Sequence, residues 1–314
     1  ILDIFALHAT SAEGKLQVEL AQLQYHYSRL ACLWQHLERL GGGGGTRGPG
    51  ESQLVVDRRM IRDRIAVLRR RLTAVGRSRD LRRRNRERSG LLRVALAGYT
   101  NAGKSLLMNA LTGADASARN RLFETLDSRT RTLEHAGHEI LLSDTVGFIR
   151  DLPHQLVEAF ASTLDEVVDA DLILHVADAS EPQARGAARR AAVVQTLSEI
   201  GAGAVPQILV LNKSDLLDPT ERENLRASEP GAVVVSARTG AGLDELRRRL
   251  VAVARERLVT FDAMIPWSRG DLLAAIHEDG VEITRDDETD GARVRALLPR
   301  PVAGRIRAEL NGGA

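Results

Sequence analysis

Residues 91–105 read LLRVALAGYTNAGKS. The apolar run up to Ala97 predicts a buried strand, and KSLLMNALTG after it has the apolar spacing of an amphipathic helix. Between them stand Gly98, Gly103, Lys104 and Ser105, at the G-x-x-x-x-G-K-S spacing of a phosphate-binding loop. Glycines there let backbone N–H groups turn inward around phosphate oxygens, and the helix N-terminus adds the positive end of its dipole. A glycine turn before any helix could use some of the same letters. The full spacing in a strand–helix setting argues for the phosphate reading. The loop then comprises Gly98, Tyr99, Thr100, Asn101, Ala102, Gly103, Lys104, Ser105 and Leu106. Lys104 is expected to reach the β- and γ-phosphates and the Ser105 hydroxyl to bind Mg2+.

Working outward, four more apolar runs, EILLSDT, LILHVAD, QILVLNK and AVVVSA, alternate with amphipathic helical stretches. That alternation predicts an α/β domain with a doubly wound, mostly parallel sheet and a ligand site at the carboxyl ends of its strands. Asp144, Thr145, Val146 and Gly147 end the first of these runs, and Phe148 follows. An aspartate at a strand end can hold a metal through water. Gly147 can bring its N–H to a terminal phosphate because no Cβ intervenes.

Asn212-Lys213-Ser214-Asp215 ends the run QILVL, and its chemistry selects a base. A carboxylate at Asp215 accepts from the N1–H and 2-amino group of guanine together. Adenine lacks that donor pair and would leave the carboxylate unsatisfied. The Lys213 stem can lie along the base, and Asn212 can tie this loop to the phosphate loop. Ser236, Ala237 and Arg238, after AVVV, would offer backbone N–H groups to the guanine oxygen. NKSD alone could be a surface turn; in order with the other motifs it points to GTP and GDP as ligands.

The rest of the chain is read by composition. With 44 basic and 42 acidic residues the net charge is only +2, yet residues 47–93 hold 16 Arg against 5 Asp and Glu. A basic block beside an acidic remainder suggests a polyanionic partner at one end. Lysine is used three times, at Lys15, Lys104 and Lys213. Two of these lie in the motifs above, where a compact ammonium is not replaceable by a planar guanidinium. The single Cys32 can form no internal disulfide, which fits a reducing compartment. No run approaches the roughly 18 to 20 apolar residues of a membrane span. The start, ILDIFALHAT, lacks the marks of a signal peptide and an initiator Met, so a chain cut from something longer is expected.

Before the strand-forming region, Leu16, Leu20, Leu23, Tyr27, Leu30, Trp34 and Leu37 recur at alternating steps of four and three, and Ile61, Ile65, Leu68, Leu72 and Val75 repeat the pattern. GGGGGTRGPG separates them and cannot be helical. The expectation is an antiparallel helical hairpin whose first helix is roughly 40 Å long, with a glycine-rich tip over residues 41–50 and a basic second helix. Arg47 at the tip and Arg58, Arg59 and Arg62 beyond it are the expected contacts to that polyanion, which the family resemblance given below implies is RNA. A charge run on a helix can equally be its solvated face. The domains are expected at 1–90 for the arm, 91–258 for the nucleotide-binding domain, and 259–314 for a small α+β domain built from VTFDAMI, GDLLAAIHE, VEITR, ARVRALL and VAGRIRAEL.

The stretches GYTNAGKS, LFETLDSRTR, DTVGFIRDLPHQLVEAF, LNKSD and SARTGAGLDEL resemble the GTPase domain of the HflX family, in the Obg–HflX group of P-loop GTPases. LDIFALHATSAEGKLQVELAQLQY and GTRGPGESQL resemble that family's helical subdomain and glycine-rich loop, and IPWSRGDLLAAIHEDG its C-terminal domain. The resemblance covers nearly the whole chain and implies a cytoplasmic, monomeric, ribosome-associated GTPase. Such a protein would bind the large ribosomal subunit and its rRNA and act in ribosome splitting, rescue or recycling under stress. By that resemblance Phe123 and Thr125 belong to switch I, and Thr125 completes the Mg2+ shell with Ser105 and, through water, Asp144. Phe148 stands where many GTPases carry a water-orienting Gln, so slow intrinsic hydrolysis is expected. Asn101 matches an asparagine that helps some relatives coordinate K+, against a plain loop hydrogen bond. The chain departs from the family in lacking nearly all of the N-terminal α/β subdomain, in Leu106 for a Thr, and in SAR for SAK. Those departures keep a second expectation open: a nucleotide-dependent RNA-binding module with little turnover.

Overall fold

The structure, a computed structural model, describes residues 6, 12–40, 56–74, 91–113, 129–145, 147–148 and 161–311. Helices Ala12–Leu40 (α1) and 56–74 (α2) come first. Arg64 pairs with Glu19 at 2.6 Å, while Arg58 and Arg62 lie 5.3 and 6.0 Å from the centre of the Tyr27 ring. Rising numbers on α1 thus meet falling numbers on α2, which makes the helices antiparallel. Leu68 is fully buried and Ile61, Ile65 and Leu72 are half-buried, as their spacing predicts. On α1 the buried line runs through Gly14, Gln17, Val18, Leu20 and Ala21, while Leu16, Leu23 and Tyr27 are only half-buried. The small Gly14 and Ala21 permit close approach on a face rotated from the expected leucine seam. Residues 41–50, Arg47 and Val75 lie outside the described residues.

The apolar runs form a six-stranded sheet in the order β2-β3-β1-β4-β5-β6. These strands are Leu92–Gly98 (β1), Arg129–His135 (β2), His138–Asp144 (β3), Leu172–Asp178 (β4), Gln207–Asn212 (β5) and Val233–Val234 (β6). All neighbours are parallel except β2, which runs antiparallel to β3. β2 was not legible as a strand: RTRTLEH is an edge with Leu133 as its one buried side chain. Its turn to β3 is set by Ala136 and Gly137, both at positive φ (51° and 78°), the backbone that matches the twist of a hairpin.

Side chains of β1 alternate between two layers, the signature of a doubly wound sheet. Leu92, Val94 and Leu96 join a core with Leu107, Met108 and Leu111 of Lys104–Thr112 (α3) and with Leu243, Leu246 and Leu250 further along. Ala95 and Ala97 face the other way, into a core with Phe148, Leu164, Ile173, Val193 and Leu197. Further helices along this part of the chain are Ala161–Val168 (α4), Gln183–Glu199 (α5), Pro219–Ser228 (α6) and Leu243–Glu256 (α7). The order reverses on either side of β1, so the crevice at its carboxyl end, where ligands bind in such sheets, is where residues 98–105 fall.

Leu258–Pro266 (β7), Gly270–Asp279 (α8), Val281–Asp287 (β8), Gly291–Pro299 (β9) and Arg300–Asn311 (α9) complete the chain. The sheet β7-β9-β8 is antiparallel. Period-two burial puts Phe261 and Ile265 with Val294 and Leu298 against Leu272, Ile276, Val302 and Ile306 of the two helices. Asp171, just before β4, anchors both the start of β1 and the end of α7: it accepts from Arg93 at 3.0 and 3.1 Å and pairs with Arg257 at 2.9 Å. Among the described residues no helix is long and apolar enough to cross a membrane.

Candidate functional site

The site is built where β1 gives way to α3. Gly103 sits at φ 88°, and a Cβ there would stand 2.4 Å from Nδ2 of Asn212, so both the turn and the packing require glycine. Lys104 is buried and donates to the carbonyl oxygens of Gly98 and Tyr99 at 3.2 and 3.3 Å. Burial pushes its ammonium below the usual lysine range, against the opposing pull of Asp144. Ser105 Oγ donates to Asp144 Oδ2 at 2.7 Å. Asn101 is exposed at φ 64°, Thr100 and Ala102 are buried, and Leu106 is exposed. Tyr99 is half-buried beneath the guanidinium of Arg189, 4.6 Å from its ring centre.

The segment after β3 is stitched onto this loop. The Thr100 N–H donates to the Phe148 carbonyl at 2.9 Å, and the Phe148 N–H donates to the Gly98 carbonyl at 3.0 Å. Gly147 lies against the loop so closely that a Cβ would be 2.8 Å from Thr100 Cγ2 and 3.1 Å from Lys104 Nζ. Thr145 turns its hydroxyl inward, donating to the Leu96 carbonyl at 2.7 Å, which makes its side chain a brace. The Phe148 ring is 3% exposed, in the core with Leu164, Val193 and Leu197. Phe123, Thr125 and Val146 lie outside the described residues.

Asn212, 1% exposed, joins the two halves of the site. Its Nδ2 donates to the Ala102 carbonyl at 2.9 Å and its Oδ1 accepts from the Ala237 N–H at 3.0 Å. Ser236 Oγ donates to Asp215 Oδ1 at 2.6 Å and accepts from the Thr239 N–H at 3.2 Å. These bonds aim an exposed carboxylate from a buried hydroxyl. Of the backbone donors expected to serve the base, the Ser236 N–H bonds to the Ala241 carbonyl at 2.8 Å and the Ala237 N–H to Asn212. Arg238 is exposed beside them.

Asp178 joins the site without belonging to any of the sequence motifs. Lys213 donates to Asp178 Oδ2 at 2.7 Å, a contact between the ends of adjacent strands that spacing along the chain does not reveal. The signal for Asp178 in the sequence is an aspartate closing an apolar strand, the same placement as Asp144. On the arm, Arg59 and Arg62 are exposed, while Arg58 is half-buried.

Buried lysine, inward-facing loop, hydroxyl–carboxylate pair and aimed second carboxylate thus share one end of the sheet. The arrangement can take an anion at one side and a hydrogen-bonding heterocycle at the other. A sequence family described as "GTP-binding GTPase Middle Region" matches residues 8–86, and one described as "50S ribosome-binding GTPase" matches residues 93–213. The chain is 46% identical over 313 residues to the GTPase HflX of Caldanaerobacter subterraneus subsp. tengcongensis, covering 98% of this chain and 70% of that one. It is 44% identical over 303 residues to the GTPase HflX of Escherichia coli K12, covering 95% and 71%. Among solved structures, a GTP-binding protein from the hyperthermophilic archaeon Sulfolobus solfataricus in complex with GDP superimposes with a TM-score of 0.51. It is 26% identical and covers 81% of this chain and 70% of that one. With that identity carried over nearly its whole length, the chain belongs to the HflX family of GTPases and is a GTP-binding, GTP-hydrolysing protein.

Proposed function

We propose that GTP binds with its phosphates on residues 98–106 and its base between Asn212–Asp215 and Ser236–Arg238, and that hydrolysis is coupled to the large ribosomal subunit. The observation that carries the site assignment is Asn212, whose amide holds the phosphate loop and the Ala237 loop at fixed separation. Lys104 then supplies positive charge to the β- and γ-phosphates, and Gly147 brings a backbone N–H close to the terminal phosphate. The facing oxygens of Ser105 and Asp144 are hard donors that suit Mg2+, which prefers oxygen ligands and keeps several waters. Ser105 would ligate it directly and Asp144 through water, with Thr125 joining from switch I. Bound there, Mg2+ would neutralise phosphate charge. Asn101, exposed in its left-handed turn, is the residue that would contact K+.

The ribosomal part rests on the family description matching residues 93–213 and on the arginine-rich arm. Guanidiniums along such an arm neutralise rRNA phosphates, with Arg47, Arg59 and Arg62 as contacts and Arg58 shared with Tyr27. We read residues 1–90, 91–258 and 259–314 as arm, GTPase domain and C-terminal domain, serving ribosome splitting, rescue or recycling. The test is GTP hydrolysis with and without purified large subunits, with ATP as control and in K+ and Na+ buffers. GTP-specific stimulation by subunits supports the coupling. Subunit-independent turnover removes it, and equal rates in the two buffers remove K+.

A further inference from the structure

Asp178 closes β4 and lies beside Asn212 in the parallel β4–β5 register. Its carboxylate is held from two sides. Oδ1 accepts from the Ser180 N–H at 2.9 Å and the Ser180 hydroxyl at 2.6 Å, and Oδ2 accepts from Lys213 at 2.7 Å. The side chains keep only 15% and 25% of their exposure, so the ion pair is partly sheltered from water. Lys213 itself sits at φ 66°, a left-handed backbone that residues with a Cβ seldom adopt. Strained, sparsely populated conformations persist where the surroundings over-determine them and concentrate at ligand sites.

A free lysine stem samples many rotamers. One tied at its far end is a fixed bar, and here the tie spans the carboxyl ends of two neighbouring strands. We propose that Asp178 is a positioning residue for guanine recognition. By holding the Lys213 ammonium, it lays the four-carbon stem across the ends of β4 and β5 as a platform for one face of the base, next to Asp215. The proposal rests on the guanine assignment of Asn212–Asp215 made above. Asp178 contacts the base only through Lys213, so its effect must vanish when that ammonium is absent. The competing account is local: Asp178 and Ser180 form a turn that starts the connection to α5, with Lys213 incidental.

Titration of the full chain with a fluorescent GDP analogue separates the two. Asp178→Asn is expected to weaken GDP binding about tenfold and Lys213→Met by a similar factor, the scale of one charged hydrogen bond. The double variant should bind no more weakly than either single one, since both remove the same platform. GTP should weaken by the same factor as GDP, because the base is common to both. Ser180→Ala, which leaves the ion pair in place, should stay within about twofold of the parent. Asp178→Glu keeps the charge but displaces it by a methylene, and should weaken binding only while Lys213 is present; it carries the test should Asp178→Asn fold poorly. Full loss by either Asp178 variant in the Lys213→Met background, or a Ser180→Ala defect matching Asp178→Asn, overturns the proposal. A parent chain that prefers ADP to GDP would instead sink the guanine assignment itself.

Discussion

Asn212 donates through its side-chain amide to the carbonyl oxygen of Ala102 at 2.9 Å, joining loops 110 residues apart in sequence. The same side chain accepts from Ala237, so one buried amide fixes the separation of the proposed phosphate end and the proposed base end of the site. Asn212→Ala removes both bonds and leaves a buried carbonyl and a buried N–H without their partner. The expected cost is about 2–4 kcal/mol, shared between fold stability and nucleotide binding. Thermal unfolding with and without GDP reads the two shares. A variant that melts and binds like the parent would refute the bracing role.

Ser105 and Asp144 make a different kind of pair, a hydroxyl on a carboxylate at the edge of the phosphate loop. Ser105→Ala is expected to lower GTP hydrolysis by a factor of about ten or more at low Mg2+, because the proposed metal ligand is lost where phosphate charge must be balanced. GDP binding without Mg2+ should change far less. The check is a Mg2+ titration of the hydrolysis rate. An unchanged midpoint for the variant would remove Ser105 from the metal site.

Phe148 occupies a position where a water-orienting side chain is common, yet its ring is packed among Leu164, Val193 and Leu197. Truncation to Ala should therefore act first on stability, by about 3–5 kcal/mol, and Phe148→Leu by about 1 kcal/mol. Phe148→Gln puts an amide into that apolar core, so it should destabilise the chain without raising intrinsic GTP turnover. Chemical denaturation and single-turnover hydrolysis test this together. A tenfold faster Gln variant would mean that the segment after Gly147 swings the side chain out to the phosphates.

The parts of this molecule that were legible in sequence share a physical cause. β1, β3, β4 and β5 were visible because buried strands must be apolar, and the loop at 98–105 because its backbone path demands glycine at set positions. β2 was hidden because an edge strand with one buried residue, Leu133, needs no apolar run. The buried line of α1 keeps Leu20 but otherwise takes in Gly14 and Ala21 rather than Leu16 and Leu23, because small residues permit approach and hydropathy gives them little weight. Asp178 was missed because its partner is its neighbour only across the β4–β5 register. Phe148 could be recognised as unable to orient water, but the core it fills is assembled from β1, β4, α4 and α5 and cannot be seen from a heptapeptide.

His175 supplies a strong pH dependence, beside His138, whose pKa burial and then Arg255 also lower. His175 is 5% exposed within β4, and burial, followed by the nearby Arg190 guanidinium, lowers its pKa from 6.5 to about 4. The folded state therefore keeps the imidazole neutral where the unfolded chain already binds a proton. With a depressed histidine pKa the unfolded state gains protons first as pH falls, so stability drops between pH 6.5 and about 4 and this contribution levels off below that. The full shift corresponds to about 3 kcal/mol. Asp171, whose pKa its Arg93 and Arg257 partners lower despite opposing desolvation, begins to lose its own contribution only at lower pH, as it protonates. Unfolding free energy measured by urea titration from pH 7.5 to 4.5 should fall for the parent chain. The slope should be shallower for His175→Gln by about one proton at most, even though that variant starts less stable. Parallel slopes would mean that His175 takes up its proton in the folded state, and that the space around β4 opens to water as the pH falls.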